Sequence, residues 1–199
     1  SRTAVAEKQN IVKVIAKQLS GVRVTEDHVK QAIKNLPENF AQWKEEELLQ
    51  LSSTLRKLSK PMVIAANKAD LPPAEAHIAN LKKKCPHLTI IPCSGDAELA
   101  LREAAKKGII DYIPGDPSFT TKGIVSEQQK KALTFIQENV LEKWGSTGVQ
   151  QTINTAVLDM LQYIAIFPGG VNKLTDQYGN ILPDCFLLPK NATALDFAF

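Results

Sequence analysis

Three polar residues with a short, fixed spacing predict that this chain recognises a purine base. Asn67, Lys68 and Asp70 form an Asn-Lys-x-Asp pattern between an apolar run (62–66) and the helix-breaking segment 71–73. A carboxylate such as Asp70 can accept the ring N1–H and the exocyclic amine of guanine together, and charge-assisted pairs of this kind are strong. Adenine has an acceptor in place of N1–H, so it would leave a buried carboxylate unpaired, at a cost on the order of several kcal/mol. The pattern therefore predicts selection of guanine.

Neighbouring residues can complete such a site. Asn67 stands where its amide can reach the base and can also tie neighbouring loops together, and Lys68 can lay its methylene stem over the ring face. In a second loop, Ser94 and Gly95 follow another apolar run. The N–H of Gly95 is predicted to donate to the guanine carbonyl oxygen, since glycine permits close approach. The pattern also occurs by chance in surface turns, but the buried run, the helix breaker and the second loop favour a guanine site.

The sequence contains a base-reading pattern without a phosphate-holding one. No segment of the 199 residues matches Gly-x-x-x-x-Gly-Lys-[Ser/Thr], the loop that binds phosphates. The chain also begins at Ser1 without a methionine and stops at Phe199 within an apolar pattern. We therefore expect it to be a piece of a longer protein.

Hydrophobic periodicity predicts helices in the first 60 residues. Thr25 is placed to cap the second helix and Pro37 to end it, and the third helix should begin near Trp43. The apolar stripes of the three helices comprise Val5, Ile11, Val12, Ile15 and Leu19, then Val29, Ile33 and Leu36, then Leu48, Leu51, Leu55 and Leu58.

The pattern changes at Pro61 to alternating strands and helices. The continuous apolar runs 62–66 and 88–93 are typical of strands buried on both faces of a parallel sheet. Each is followed by a helical segment, which gives a repeated β–α unit. Because ligands bind at the carboxyl ends of such strands, the loops 67–70 and 94–96 should lie together at one edge of the sheet.

The remainder of the chain is predicted to be helical and then β-rich. Residues 108–123 form a connection, and Ser126 with Gln129 forms a capping box for the next helix. A last helix follows the Gly-Ser-Thr-Gly segment 145–148, and strands are predicted at 164–167 and 185–188. We place a domain boundary near Tyr163.

Five blocks, in the same order along the chain, carry a resemblance to a known family. The sequence resembles the Obg-related, YchF-like GTPases, specifically those of archaeal type, over nearly all of its length. The blocks are residues 60–70, 92–99, 110–116, 145–150 and 172–184.

The resemblance implies a fold and a division into domains. The implied fold class is α/β, with the C-terminal portion of a P-loop NTPase-type parallel sheet, a helical insertion and a partial β-grasp (TGS) module. Residues 1–59 would be the helical insertion, 60–163 the C-terminal part of the GTP-binding domain, and 164–199 the start of the TGS domain.

The resemblance also implies a function. It implies GTP or GDP as ligand, Mg²⁺ held through the N-terminal half that precedes Ser1, hydrolysis of GTP by the intact protein, and a translation-linked role with the ribosome or RNA as partner. This family usually has Ser-Ala where the chain has Ser94-Gly95, which keeps the backbone N–H. Better-known YchF proteins have Glu in place of Asp70 and a relaxed choice of base, so Asp70 implies that this chain retains guanine selectivity.

Bulk composition restricts the setting and excludes few functions. The net charge of +3 and the pI near 8.7 are compatible with RNA contact without arguing for it. Three cysteines are too few for a disulfide framework, so we expect a reducing, cytoplasmic setting. No apolar run approaches the roughly 18 residues of a membrane span. We expect a monomer that makes no membrane contact.

Several alternatives are open on the sequence alone. The region could be a ribosome- or RNA-binding adaptor with vestigial nucleotide binding, or a fragment without activity of its own. His77, Cys85, His87 and Cys93 do not match a common zinc-ligand spacing, and Cys93 is better interpreted as a buried residue at a strand end. Trp43 and Trp144 are predicted to pack in cores, although aromatic rings of this kind can stack on bases.

Overall fold

The computed structural model describes residues 2–169, 174–176, 178–182 and 184–198. The chain divides into two compact units, Ser1–Met62 and Val63–Phe199. Each unit is described by itself below. The domain limits predicted from the sequence, at 59/60 and 163/164, stay predictions.

The first unit is helical, as its periodicity predicts. Thr25 caps the second helix through reciprocal bonds with His28: the His28 N–H donates to Thr25 Oγ1 and the Thr25 N–H donates to His28 Nδ1, both at 3.3 Å. The elements are α1 (Arg2–Gln18), α2 (Glu26–Ala32) and α3 (Glu45–Ser59), with 3₁₀ turns at Ser20–Val22, Ile33–Asn35 and Phe40–Gln42.

The core of the first unit follows most of the predicted stripes. Its buried residues are Val12, Ala16, Val24, Val29, Ala32, Ile33, Leu36, Leu51 and Leu55. Leu48 was predicted to belong to this core, but half of its surface is exposed (50%). The partner helix α2 has 7 residues against 15 in α3, so it cannot cover the whole length of α3.

Trp43 has a packing role in this unit. Its indole N–H donates to the Pro37 carbonyl at 3.0 Å, and its ring meets Phe40 edge-on with 5.0 Å between centroids. The indole is thus held by its own neighbours, as the packing interpretation of this tryptophan predicts.

The second unit contains the predicted pair of β–α units. β1 and β2 run parallel in the register Val63↔Thr89 to Ala66↔Pro92. The first elements of the second unit are β1 (Val63–Ala66), α4 (Ala74–Lys84), β2 (Thr89–Pro92), α5 (Gly95–Lys106), β3 (Ile110–Asp111) and β4 (Thr120–Thr121). They are followed by α6 (Glu127–Ile136), a π-helical turn (Gln137–Leu141), α7 (Glu142–Trp144), α8 (Val149–Asn154), a second π-helical turn (Thr155–Met160), β5 (Tyr163–Ile166), β6 (Phe186–Pro189) and α9 (Ala194–Ala198).

Two buried clusters hold these elements together. α5 is amphipathic, and its residues Ala97 and Leu101 pack with Ile110, Val140 and Leu141. Ile78 of α4 packs against Ile90 of β2 in the other cluster. The result is a mixed α/β fold with a small parallel sheet, which confirms the fold class at that level.

The structure departs from the sequence-based prediction at two places. The connection 108–123 contains the short antiparallel pair β3–β4, and the last two long helices each contain a π-helical turn. Strands of two residues are too short to show an alternating pattern in the sequence. A change of helix type over a single turn also leaves no periodic signal.

The C-terminal segment contains the two predicted strands, and the structure shows that they pair antiparallel. β5 pairs with β6 from Tyr163↔Pro189 to Ile166↔Phe186, and Thr175 forms an isolated antiparallel bridge with Ile181. Four residues of the last resemblance block lie outside the described part of the chain: Asn172, Lys173, Gln177 and Pro183. Within the described residues, no helix is both long enough and apolar enough to cross a bilayer.

Candidate base-recognition site

The two predicted loops lie side by side at the carboxyl ends of β1 and β2. The ladder continues past the strands, because the Cys93 N–H donates to the Ala66 carbonyl at 2.9 Å and the Ala69 N–H donates to the Cys93 carbonyl at 2.8 Å. This continuation brings the Asn-Lys-x-Asp loop against the loop that begins at Ser94. The structure therefore brings together the residues that the sequence predicts as a site.

Asp70 and Ser94 are joined directly. The Ser94 hydroxyl donates to Asp70 Oδ1 at 2.8 Å, and Ser94 is 1% exposed. Ser94 stands at the N-cap of α5, yet its side chain makes no capping bond to the helix. A serine cap contributes about 1 kcal/mol to a helix, so this hydroxyl forgoes that bond and orients the carboxylate of Asp70 instead.

Asn67 joins the same two loops at a second point. The Gly95 N–H donates to Asn67 Oδ1 at 3.0 Å. The sequence predicts that Asn67 ties the loops, and this contact agrees with that role. The sequence predicts that the Gly95 N–H donates to the guanine carbonyl oxygen. In this structure that N–H is bonded to Asn67, so the bond to Asn67 would have to break before the base could accept from Gly95. The first turn of α5 also offers the N–H groups of Asp96 and Ala97, which have no partner within a helix at these positions.

Lys68 and Asp70 flank a fixed residue, Ala69. Ala69 is buried, its N–H is bonded to Cys93, and its carbonyl accepts the Trp144 indole N–H at 3.1 Å. Lys68 has a left-handed backbone with φ of 64°, a conformation that costs a non-glycine residue about 1 kcal/mol. The bonds at Ala69 hold the loop in that conformation, and Trp144 acts as a support for the loop.

Sequence reasoning missed a buried carboxylate next to the site. Glu98, in the first turn of α5, accepts hydrogen bonds from Arg102 Nε at 2.6 Å, from the Tyr112 hydroxyl at 2.8 Å and from Thr147 Oγ1 at 2.5 Å. Glu98 and Thr147 are almost completely buried. The partners lie 4, 14 and 49 positions away along the chain, so no short pattern in the sequence could identify the cluster.

The cluster changes the ionisation of its members. Burial alone would raise the pKa of Glu98, but the hydrogen bonds from Thr147, Arg102 and Tyr112, together with the charge of Arg102, hold that pKa below its usual value. Burial and the bond to Glu98 raise the pKa of Tyr112. Near neutral pH the cluster therefore consists of a carboxylate that accepts from a neutral phenol, a neutral hydroxyl and a guanidinium.

We expect Glu98 to make stability depend on pH. Because its folded pKa lies below the unfolded value of about 4.3, its contribution is complete above that value and is lost as pH falls through the folded pKa. Glu98→Gln should therefore lessen the acid-side loss of stability and cost about 1–3 kcal/mol at pH 7. Urea unfolding between pH 3 and 7 measures both effects.

Glu103→Gln is the matched control for this experiment. Glu103 lies on the same helix and is exposed, so surface substitution should change stability by less than about 0.5 kcal/mol. Equal pH slopes for the Glu98 and Glu103 variants would contradict the role given to Glu98.

The Gly-Ser-Thr-Gly segment supports the second loop. The Thr147 carbonyl accepts the Ser94 N–H at 2.9 Å. Gly148 has φ of 76°, and a Cβ there would lie 1.8 Å from the Pro92 carbonyl oxygen. The two glycines were visible in the sequence, but as a separator between helices and without a link to the site.

Cys93 is buried at the strand end, as predicted. Its Sγ lies 3.2 Å from Thr152 Oγ1, and that hydroxyl donates to the Gly148 carbonyl. Thr152 has a single hydroxyl proton, so the thiol is the donor to Thr152. Burial raises the pKa of Cys93, so the thiol stays protonated and serves packing. Within the described residues, no group of three or more His, Cys, Asp or Glu side chains could hold a metal ion.

Comparison with known proteins identifies the relatives of this chain. Residues 65–170 match the family described as "Obg-like GTPase YGR210-like, G4 motif-containing domain". The chain is 46% identical to the uncharacterized GTP-binding protein MJ1332 of Methanocaldococcus jannaschii, over 97% of this chain and 49% of that protein. It is 27% identical to the uncharacterized GTP-binding protein C428.15 of Schizosaccharomyces pombe, over 97% of this chain and 50% of that protein.

A solved structure has the same fold. The crystal structure of a GTP binding protein from Pyrococcus horikoshii OT3 matches with a TM-score of 0.62 and 40% identity, over 94% of this chain and 49% of that one. The chain thus spans about half the length of the curated relatives it matches. On these matches, the chain belongs to the Obg-like GTPase family, in its YGR210-like group, and contains that group's G4 motif-containing domain.

Proposed function

We propose that this chain forms the guanine-recognition part of a GTP-binding protein, with Asp70 as the residue that selects the base. The observation that carries the proposal is the fixed carboxylate of Asp70, held by the buried hydroxyl of Ser94 at the carboxyl end of a parallel sheet. The family and the relatives named GTP-binding proteins support it.

The carboxylate keeps the capacity that guanine needs. Each of its oxygens can accept two hydrogen bonds, and Ser94 uses one position on Oδ1. Asp70 is partly exposed, so a ligand can reach it. Both oxygens can therefore accept from N1–H and the exocyclic amine while the bond from Ser94 remains.

The other site residues match the remaining groups of guanine. The N-terminus of α5 carries partial positive charge, which suits the guanine carbonyl oxygen. Asn67 and Gly95 lie at that terminus and are bonded to each other. Lys68, next to the fixed residue Ala69, would cover a face of the ring with its methylene stem.

The phosphate chemistry belongs to the whole protein. We propose that the intact protein is a YchF-like GTPase with a P-loop-type sheet, and that the residues that hold phosphates and Mg²⁺ lie outside these 199. Catalysis of phosphoryl transfer depends on positioning and on stabilising phosphate charge. Hydrolysis of GTP is therefore expected of the intact protein, while this chain supplies the choice of base.

A competition experiment tests the proposal. GDP and ADP compete with a fluorescent guanine nucleotide for the intact protein, and GDP should bind at least about 100-fold more tightly, since several kcal/mol separate the bases. Equal affinities for GDP and ADP would overturn the proposal. The isolated 199-residue chain should bind both weakly.

Gly95→Ala is expected to leave the site intact. A Cβ at Gly95 would lie 3.6 Å from Asn67 Oδ1 and 3.8 Å from Nδ2, which is ordinary van der Waals contact. The substitution restores the Ser-Ala form usual in this family and keeps the N–H. GDP affinity, measured by the same competition, should change by less than about 0.5 kcal/mol. A tenfold loss would show that the base lies closer to this Cα than we propose.

A second candidate function concerns the C-terminal segment. We propose that residues 164–199 begin a TGS module that contacts the ribosome or RNA. Phe167, Phe186 and Leu187 are each about half exposed, and the rings of Phe186 and Phe197 meet edge-on with 5.6 Å between their centroids. An apolar surface of this kind supports a contact with a partner.

Ribosome co-sedimentation of the intact protein should fall when this segment is removed. Co-sedimentation unchanged by Asp70→Asn would favour an adaptor role over nucleotide control.

A further inference from the structure

We propose that Glu98 and Thr147 are positioning residues that set the base selectivity of Asp70. The proposal rests on the function proposed above and extends it to residues that do not touch the base. Three consecutive hydrogen-bonded links connect the buried carboxylate of Glu98 to the base-reading carboxylate: Glu98 to Thr147, Thr147 to Ser94, and Ser94 to Asp70.

The first link, from Glu98 to Thr147, begins at a side chain that is held in one orientation. Glu98 lies on α5 and has its two oxygens engaged by Arg102, Tyr112 and Thr147. A carboxylate with this many partners in a buried setting has no alternative orientation of similar energy. Oε2 accepts both the Tyr112 hydroxyl and Thr147 Oγ1, so the position of the Thr147 side chain is fixed from one side.

The second link transmits this position to the loop backbone. Thr147 is completely buried, and its neighbour Gly148 approaches the Pro92 carbonyl more closely than any other residue type could. The Thr147 carbonyl accepts the Ser94 N–H at 2.9 Å. Ser94 precedes the first turn of α5, where a backbone N–H has no helical acceptor, so this bond fixes the entry of the chain into the helix.

The third link determines where the Asp70 carboxylate lies. With its backbone held by Thr147, Ser94 directs its hydroxyl at Asp70 Oδ1 at 2.8 Å. Loss of the Glu98–Thr147 bond should let Ser94 and then Asp70 rotate. The effect should fall on the bonds to guanine N1–H and its amine and should leave contacts to phosphate unchanged.

The test compares GDP with IDP, whose base lacks the exocyclic amine. Both compete with a fluorescent GDP analogue for the intact protein, in wild type, Thr147→Val and Glu98→Gln. Valine keeps the carbonyl and the approximate shape of Thr147 and replaces its hydroxyl with a methyl group, while Gln keeps the shape of Glu98. In Thr147→Val we expect GDP affinity to fall about tenfold, the value of a hydrogen bond to a charged group. In Glu98→Gln we expect a smaller fall, because the amide oxygen can still accept from Thr147, although without the negative charge. IDP has the N1–H bond to lose but no amine bond, so its affinity should fall less than that of GDP, and the GDP:IDP ratio should fall.

Thr147→Ser is the rescue variant, because it keeps the hydroxyl that donates to Glu98. It should retain the wild-type GDP:IDP ratio even if its melting temperature drops. Equal losses of GDP and IDP affinity, or an unchanged ratio in Thr147→Val and Glu98→Gln, would overturn the inference. If the wild type prefers GDP over ADP but the GDP:IDP ratio is the same in both variants as in the wild type, only this inference is rejected. Equal affinities of the wild type for GDP and ADP would reject the proposed function itself.

Discussion

Gly148→Ala is expected to destabilise the protein more than any other single change considered for this chain. A Cβ at this position would lie 1.8 Å from the Pro92 carbonyl oxygen and 3.0 Å from Cys93 Sγ. The nearest atom belongs to the backbone at the end of β2, so a side-chain rotation cannot relieve the overlap. The left-handed φ of 76° adds about 1 kcal/mol for a residue with a Cβ. We expect a loss of at least about 4 kcal/mol, seen as a melting temperature lower by about 10 °C or more.

Gly145→Ala is the control that separates backbone conformation from overlap. Gly145 has φ of 82°, similar to Gly148, but no heavy atom of the described residues lies within 4 Å of a Cβ built there. Its cost should be about 1 kcal/mol, that of the left-handed conformation alone. Melting curves for the two variants measured side by side test the difference. Similar losses for both would mean that the loop moves away from Pro92 at little cost.

The comparison of these two glycines also shows what the sequence could reveal. The elements of the site were predictable because each depends on local signals: an apolar run ends, a polar loop follows, and a breaker or a helix comes next. That two such units in succession place Asn67 and Ser94 at one edge follows from the geometry of parallel strands. The sequence could not distinguish Gly145 from Gly148, because the difference lies in what packs against them.

The supporting residues were unpredictable for the same physical reason. Glu98 looks like an ordinary helix carboxylate, and its burial depends on a hydroxyl 49 positions later in the chain. The reverse error occurred at Leu48, which has the right spacing but too short a partner helix to cover it. Local periodicity reports the face of an element, whereas burial depends on which other elements extend over that face.

Asp70→Asn is expected to change which base the intact protein prefers. The amide of Asn keeps one oxygen, which can still accept the Ser94 hydroxyl now bonded to Oδ1. It replaces the other oxygen with an NH₂ group that would face the donors of guanine. The amide NH₂ and the guanine N–H donors would then face each other without an acceptor, so GDP affinity should fall about 100-fold or more. Xanthine has a carbonyl in place of the exocyclic amine, and that carbonyl can accept from the new amide. XDP should therefore bind the variant more tightly than GDP does, which is measured by competition against the same fluorescent nucleotide.

Asp111→Asn is the matched control for the base switch, since it makes the same chemical change away from the site. Asp111 is exposed and pairs with Lys122 at 2.9 Å, and loss of a surface ion pair costs at most about 1 kcal/mol of stability. Its preference for GDP over XDP should equal that of the wild type. If Asp70→Asn also kept the wild-type preference, then Asp70 would not contact the Watson–Crick edge, and the loops at the ends of β1 and β2 would bind guanine through the backbone of α5 instead. The order of GDP and XDP affinities in the Asp70 variant thus decides between recognition by the carboxylate and recognition by the helix terminus.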